Sequence, residues 1–538
     1  MHSPPPGFHG TFRTDVDARG AYSESAGILR AMPLAVAVPD TPTDVQALAR
    51  WASRERVPLI ARGSGSSMSG AAVGPGVIVD THRLRAIDAV DPAWNRLRVG
   101  AAVTRSRADD AARHHGLRVP VDPSSGAFAT IGGMAATNAA GPRTMRFGAM
   151  RRWVHAIDCV FADGSAARVS RDRPPVGGAT LARWAAAAPD LRARCARLEA
   201  RHVRKDSSGY GVHDFAVSGD LIDLLVGSEG TLALFTAVEL DVLPLPVASA
   251  SLLCSWPDLD LAVRGAALAR EAGAVACELL DASFLAVAAR ARALPVPSSS
   301  EAVLIIEFED AEPGFATSRA EALAAACRQA GASTTLLGLD PESEEALWAL
   351  RHAASPILSR LDPHIRSMQV VEDGCVPPER LADYVRGVRA ALQACALEGV
   401  LFGHAGDAHV HVNALVDVRS PTWKVSVRAL YDRVAELTAR LGGTMAGEHG
   451  DGRLRSPLMS QFWSADAMAI FAELKALFDP VGILNPGVKV GATTDPFQRV
   501  KYDPSDAIES PPAHRVLEEV EATRAYDTLR LELLDRSG

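Results

Sequence analysis

The chain has 538 residues, of which 48% are hydrophobic and 22% charged. That is the composition of a globular protein, and the length is too great for a single core. Lys and Arg number 56 against 64 Asp and Glu, a net charge of −8, which disfavours nucleic acid or anionic lipid as the main partner. The seven cysteines are scattered and never form C-x-x-C. This suits a reducing compartment and removes an obvious iron–sulfur site. No apolar run reaches bilayer length and residues 1–30 carry no apolar signal core, so a cytoplasmic protein is expected, with any membrane contact peripheral, at the inner face.

After an N-terminal arm, 1–32, residues 33–42 read as a short strand closed by turn residues. Over 43–55 the apolar positions Val45, Leu48, Ala49 and Ala52 are spaced for a helix with one buried face, and Thr43 and Asp44 are candidate caps. Strands are expected at 58–61, 77–80, 97–99, 157–161 and 233–243. Few helices separate them, so 33–246 reads as an α+β domain. A second unit, 247–490, opens with a strand–helix–strand rhythm: strand 249–256, helix 259–272, strand 302–308, helix 317–330. An amphipathic helix at 379–398 and a histidine-rich strand follow. Helices at 425–441 and 464–478 lead to a terminating loop, 479–487. Residues 491–538 read as a polar tail, helical near 515–534.

Residues 62–70 read Arg-Gly-Ser-Gly-Ser-Ser-Met-Ser-Gly. A loop of this kind exposes peptide N–H groups and hydroxyls and suits a pyrophosphate. It is neither of two better-known phosphate motifs. A dinucleotide fingerprint needs glycine where Met68 stands, and a P-loop needs Lys and Ser/Thr where Ala71 and Ala72 stand. Alone, the loop is equally a surface turn. A run of small residues over 122–141 favours the ligand reading, because its length suits backbone packed along an extended molecule. A third stretch, 227–231, holds Glu229 and Gly230 and enters a strand.

Residues 401–413 carry His404, His409 and His411 around Gly406 and Asp407, and 445–452 bring Glu448 and His449. Imidazoles with a carboxylate suit a zinc- or manganese-type ion. His409 and His411 share a strand face. His404 is an odd number of residues from His411, so the turn must re-aim it. Glu448 and His449 point apart when extended, which suits one ligand and one base. Each histidine taken singly is a hydrogen-bonded core or surface residue; the set with Glu448 favours metal. Asp407 either supports an imidazole or only shapes the turn. His409 is either an extra ligand or a substrate-facing hydrogen bonder.

The motifs at 62–70, 130–141, 205–210, 227–231, 403–413, 447–450 and 478–487 together resemble the vanillyl-alcohol-oxidase superfamily. The histidine-rich stretch is similar to its D-lactate, D-2-hydroxyglutarate and glycolate-oxidase-like dehydrogenases. The resemblance covers 35–490. It implies a PCMH-type FAD-binding domain over 33–246, then an α+β cap domain over 247–490 for substrate and metal, with a C-terminal helical segment. It implies noncovalent FAD, with the pyrophosphate on Arg62, Gly63, Ser64, Gly65, Ser66, Ser67 and Gly70. Asp122, Thr130, Gly132, Gly133, Asn138, Glu229 and Gly230 would line the remainder. The loop lacks the histidine that some relatives bond covalently to FAD. The metal ligands implied are His404, His411 and Glu448, the base is His449, and Arg351 holds the substrate carboxylate. Three departures stand out. Ala408 and His409 replace Gly-Asn, Ser355 replaces a threonine of some relatives, and Val371 replaces a lysine that holds a distal carboxylate in the D-2-hydroxyglutarate enzymes. The Gly-Asp-Gly after His449, followed by Arg453, is similar to relatives fused to an iron–sulfur domain.

The activity implied is oxidation of a D-2-hydroxy acid to the 2-oxo acid. Arg351 clamps the carboxylate, a divalent metal, Zn or Mn, binds carboxylate and hydroxyl, and His449, neutral near pH 7, takes the hydroxyl proton as hydride leaves for the flavin. Electrons would pass to a quinone, oxygen or a carrier such as a separate iron–sulfur protein; a homodimer is also open. Without the resemblance, Arg351 reads as an ion-paired helix arginine. The rival readings are a non-redox FAD enzyme of the alkyl-dihydroxyacetone-phosphate synthase type and an FAD-binding subunit of a larger oxidase.

Overall fold

The computed structural model describes residues 4–290, 293–352, 364–503, 505 and 508–537; Ser355 lies outside them. Three large sheets, beside a two-stranded pair of Leu117–Arg118 with Leu243–Pro244, organise the described residues. The first runs Thr11–Arg13, Ala35–Val38, Val77–Asp80, Leu59–Arg62, the last three parallel and the first antiparallel. Ala35–Val38 and Val77–Asp80 are buried along their whole length, as a sheet covered on both faces requires. One cover is the helix Pro42–Glu55. Its cap is Thr41, not Thr43 or Asp44. Thr41 Oγ1 accepts from the Asp44 N–H, while the Asp44 carboxylate accepts from the Thr41 N–H, and Pro42 fills a first-turn position that needs no N–H. Val45, Leu48, Ala49 and Ala52 pack in one core with Ala35, Leu59 and Val77.

The other cover departs from the sequence expectation of a polar tail. Helices Pro511–Thr523 and Arg530–Ser537, with the N-terminal helix Val16–Ala21, bury Val516, Val520, Leu533 and Tyr22 in one core with Val36, Val38, Ile60 and Ile78. Each buried Val or Leu there is worth about 1.5–3 kcal/mol over leaving it in water. The polar positions in the tail are the outward faces of amphipathic helices.

The second sheet, Arg96–Gly100, Leu234–Asp241, Val154–Val160, Ala166–Ser170, is antiparallel. Helix Ala465–Phe478 packs here, with Phe478 against Phe161 and Trp184. The chain then crosses to the first sheet, where the Leu59 N–H donates to Ile483 O at 2.7 Å and the Asn485 N–H to Leu59 O at 2.8 Å.

The third sheet has eight strands, in the order Thr334–Gly338, Ala248–Trp256, Ala302–Asp310, Ala276–Asp281, Glu398–His404, His409–Asp417, Ile365–Met368, with Gly374–Cys375 also on His409–Asp417. Every neighbouring pair is antiparallel. The histidine-rich segment is two strands joined by a tight turn. Its register sets His404 opposite His409 and Phe402 opposite His411, and Glu278 opposite His404 on the other side. Paired residues, and residues two apart, share a face. All three histidines and Glu278 therefore project from one face. Among the described residues, no helix is long and apolar enough to cross a membrane.

Candidate functional site

A cavity of about 890 Å³ brings the glycine-rich stretches and the histidine cluster together. Gly63, Ser64, Gly65, Ser66, Ser67, Thr130, Gly132, Gly133, Glu229 and Gly230 border it on one side, and Arg351, His404, His411, Glu448 and His449 on the other. Its volume falls in the range of small-molecule sites, about 300–1,000 Å³. Gly70, Asp122 and Asn138 stand behind this lining. Gly70 packs on Leu29, Asp122 is ion-paired with Arg143, and Asn138 Oδ1 accepts from the Arg151 N–H at 2.9 Å.

The loop after Leu59–Arg62 is built for an anion. Among the described residues, the peptide N–H groups of Ser64, Gly65, Ser66 and Ser67 have no acceptor, and backbone donors clustered this way suit phosphate. Gly65 has a φ of 77°, and a Cβ there would lie 2.2 Å from Arg62 Nη2. Arg62 borders the cavity, but its guanidinium turns back into the protein. It donates to Ala72 O at 3.2 Å and Glu24 O at 3.0 Å, and burial pushes its pKa down to about 9. Arg62 thus shapes the loop instead of presenting a free cation. Glu229 is similarly engaged. Its carboxylate accepts from the Asp451 and Gly452 N–H groups at 2.8 and 2.9 Å and pairs with Lys489 at 2.9 Å, which ties the 447–452 segment to the loop wall.

In the cluster, His404 Nδ1 lies 2.5 Å from Glu278 Oε1, and His411 Nδ1 lies 2.8 Å from Glu372 O. Both partners are acceptors, so both Nδ1 atoms carry hydrogen and Nε2 of the neutral ring is a lone pair. The two Nε2 atoms face each other at 3.3 Å, and each is 3.5 Å from Glu448 Oε1. Three electron-rich atoms converging in this way need a positive charge, whether a proton or a metal ion. A tetrahedral ion with bonds of about 2.0–2.1 Å holds its ligand atoms about 3.3–3.4 Å apart, which these separations match closely. Burial would lower the His404 pKa, but Glu278 outweighs it and raises it. His411 goes the other way, pushed well below its ordinary value by burial and the neighbouring His409. Lys205, itself buried, sits 2.7 Å from Glu448 Oε2 and, against the cost of burial, holds that carboxyl well below its usual range.

His409 is fully buried and does not border the cavity. Its Nε2 is 2.8 Å from Asp373 Oδ1, while Nδ1 has no hydrogen-bond partner among the described residues and lies 4.0 Å from Glu448 Oε2. A Cβ at Gly447 would approach His409 Nε2 to 2.7 Å, so the imidazole fits only beside a glycine.

His449 Nδ1 sits 2.7 Å from Glu372 Oε2, and its Nε2 lies 3.7 Å from Glu448 Oε1. Burial favours the neutral ring, but Glu372 and Asp373 override it and hold the pKa up at about 10. Without a cation beside it, the two carboxylates thus favour the charged ring, where the sequence expectation was a neutral base. Arg351 Nε donates to Glu278 Oε2 at 2.7 Å, and the guanidinium lies over the Phe402 ring at 4.5 Å.

Four contributors escaped the sequence reading as site residues. Lys205 lay in a noted motif without a role, and Glu372 and Asp373 follow an apolar run. Glu278 was the most detectable, since it is a lone acid in the otherwise apolar start of Ala276–Asp281, where an unpaired charge would be costly.

Residues 33–170 match the family described as FAD binding domain, and 245–488 match FAD linked oxidases, C-terminal domain. The chain is 30% identical over 459 residues to a D-lactate dehydrogenase of Archaeoglobus fulgidus, covering 84% of this chain and 90% of that protein. It is 28% identical over 466 residues to glycolate oxidase subunit GlcD of Bacillus subtilis, covering 85% and 89%. The D-2-hydroxyglutarate dehydrogenase of Escherichia coli is 28% identical over 521 residues, 89% of this chain but only 50% of that protein; this chain thus spans about half the length of that relative. Among solved structures, a 4-ethylphenol oxidase from Gulosibacter chungangensis superposes with a TM-score of 0.63 at 14% identity, covering 89% of this chain and 94% of that one. An alkyldihydroxyacetonephosphate synthase gives 0.59 at 14% identity, covering 88% and 82%. At such identities the two structures speak for the PCMH-type fold alone. With both family regions matched in order, and a relative at 30% identity over nearly its whole length, this chain belongs to the FAD-linked oxidases.

Proposed function

We propose that the protein oxidises a D-2-hydroxy acid to the corresponding 2-oxo acid, with noncovalent FAD and a divalent metal. The observation that carries the reading is the triangle of His404 Nε2, His411 Nε2 and Glu448 Oε1, bordering the same cavity as the glycine loops. The names of the relatives, D-lactate dehydrogenase and glycolate oxidase subunit, support the substrate class. Val371 is buried in the core and offers no cation to a second carboxylate, which favours a small monocarboxylate. In this reading 33–246, with the arm and the C-terminal helices, binds FAD, and 247–490 is the cap. The free, buried cysteines suit the cytoplasm.

His404, His411 and Glu448 would hold zinc or manganese, which would polarise the substrate hydroxyl and carboxylate. His409 fits a fourth ligand better than a substrate contact, because its unpaired Nδ1 faces Glu448 from behind the cavity wall. The terminal nitrogens of Arg351 meet the substrate carboxylate while Glu278 fixes Nε. Glu372 holds His449 Nδ1, leaving Nε2 to accept the hydroxyl proton. A cation beside the ring would oppose Glu372 and Asp373 and favour the neutral, proton-accepting ring. His449 would take the hydroxyl proton, and a bound flavin would supply the hydride-accepting chemistry at the α-carbon. A quinone, a carrier protein or oxygen would serve as the electron acceptor. The GlcD name favours one elaboration, that this chain is the flavin subunit of a larger oxidase.

The test is anaerobic flavin bleaching by a panel of D- and L-2-hydroxy acids. Bleaching by a small D-acid, abolished by EDTA and restored by added zinc or manganese, is expected. A flavin that stays oxidised across the panel overturns the reading.

A further inference from the structure

Arg524 and Tyr526 border the same cavity as the glycine loop, although they lie outside both matched family regions, 33–170 and 245–488. Tyr526 packs on Phe128 of the 122–141 stretch, with ring centroids 5.2 Å apart and planes at 41°. Arg524 is exposed, has a φ of 57°, and turns the chain at the end of Pro511–Thr523. Next comes the buried Arg530, whose Nη1 donates to Ala21 O at 2.6 Å and Glu24 O at 2.9 Å. Glu24 O is also where Arg62 Nη2 lands, at 3.0 Å. Just beyond, the Ala26 and Gly27 N–H groups donate to Gly65 O and Ser67 O at 2.9 and 3.2 Å. Helix Arg530–Ser537 is thus tied through 21–27 to the loop whose N–H groups, among the described residues, are free to take an anion. Arg85 Nη2 on Asp527 O, at 2.8 Å, pins the turn from a third side.

We propose that the two C-terminal helices are a latch for the dinucleotide. Tyr526 and Phe128 form an aromatic wall for one of its flat ring systems, and Arg524 offers a cation to its phosphates. Arg530 is a positioning residue that keeps the glycine loop in its cradling shape. A cofactor held without a covalent bond depends on such contacts. Packing a flat heteroaromatic ring on an aromatic side chain strengthens binding by roughly tenfold to a hundredfold. The proposal rests on FAD binding alone, so it stands or falls separately from the metal and the substrate.

The full chain, stripped of FAD and titrated with it, gives affinity and release rate from flavin fluorescence. Thermal unfolding of the apoprotein reports on folding. Tyr526→Ala is expected to weaken FAD binding about tenfold to a hundredfold, and Tyr526→Phe by less than about threefold, since the ring face remains. ADP and FMN titrated separately say which ring system meets the wall: loss of ADP binding in Tyr526→Ala places adenine there, and loss of FMN binding places the isoalloxazine. Unchanged binding of FAD, ADP and FMN in a folded Tyr526→Ala protein overturns the aromatic wall. Arg530→Met should reduce the hydrogen-exchange protection that FAD confers on 62–70. The wild-type chain supplies a readout that no misfolded variant can spoil, because FAD must slow exchange in 511–537. If exchange there is the same with and without FAD, there is no latch.

Discussion

The two walls of the cavity hold their geometry by opposite means. The loop wall is mostly backbone and small side chains, and its charged members, Arg62 and Glu229, turn inward to brace it. The histidine wall is side chains, His404 and His411 from paired strands and His449 from a loop, each oriented by a further charged or carbonyl group: Glu278 on His404, and Glu372 on His411 and His449, with Asp373 holding His409 behind them. A backbone cradle recognises a phosphate through N–H groups that any sequence of suitable shape can present. A convergent set of buried charges is specific to one kind of ligand, and removing any member leaves another uncompensated. The walls should therefore fail separately.

The largest expected effect is in the histidine wall. His404→Ala breaks the triangle and leaves Glu278 facing only Arg351. We expect bound zinc or manganese to be lost and turnover to fall by about a thousandfold or more, with the flavin spectrum intact. Metal analysis beside the spectrum decides it; loss of both cofactors together would mean that the walls are one folding unit.

His449→Ala comes next, with kcat expected down about a hundredfold to ten-thousandfold and both cofactors retained. The pH profile carries the finer prediction. With the pKa held up at about 10, metal-free protein has its proton acceptor free only above that value. In the metal-loaded enzyme the acid limb of kcat should lie at lower pH. A limb that does not move with metal content would separate His449 from the cation. Stability has its own sign. A raised pKa stabilises the fold at pH below the unfolded value, and this contribution is lost as pH climbs through about 10.

Breaking the other wall should give the mirror image. Gly65→Val forces a β-branched residue to a φ of 77° and into Arg62, a strain of about 1–3 kcal/mol, or roughly tenfold to a hundredfold in FAD affinity. Metal content should be unaffected. Flavin fluorescence and metal analysis on one sample test both halves.

Much of this arrangement was legible locally. Continuous apolar runs marked the buried strands, and the small-residue stretches marked one side of the cavity. The odd spacing of His404 and His411 required a turn, and the tight turn at Ala405–Asp407 supplies it. What stayed hidden came from pairings distant in sequence. Glu278 reaches His404 across 126 residues by strand register, and Lys205 reaches Glu448 across 243; neither leaves a periodic trace near its partner. The tail misled for a related reason. Charged outer faces dominate its composition, while Val516, Val520 and Leu533 find their core beside Val36 and Ile78, from the other end of the chain.

A further effect tests how far the histidine wall depends on groups that touch neither cofactor nor substrate. Glu278 is fully buried, and although burial opposes ionisation, His404 and Arg351 hold its pKa down at about 2. Its charge thus fixes one imidazole and one guanidinium at once. Glu278→Gln keeps the size but removes the negative charge that the His404 Nδ1–H and the Arg351 guanidinium both meet. Metal affinity should fall about tenfold to a hundredfold, and KM for the acid should rise because Arg351 loses its anchor. In the wild type a depressed pKa contributes stability at pH above the unfolded value near 4.5 and loses it as pH falls toward 2, so the variant's stability deficit should shrink in acid. Chelator competition and acid unfolding, run side by side, check both. A deficit that persists unchanged at low pH would assign Glu278 to packing, and the two walls would then differ less than their charges imply.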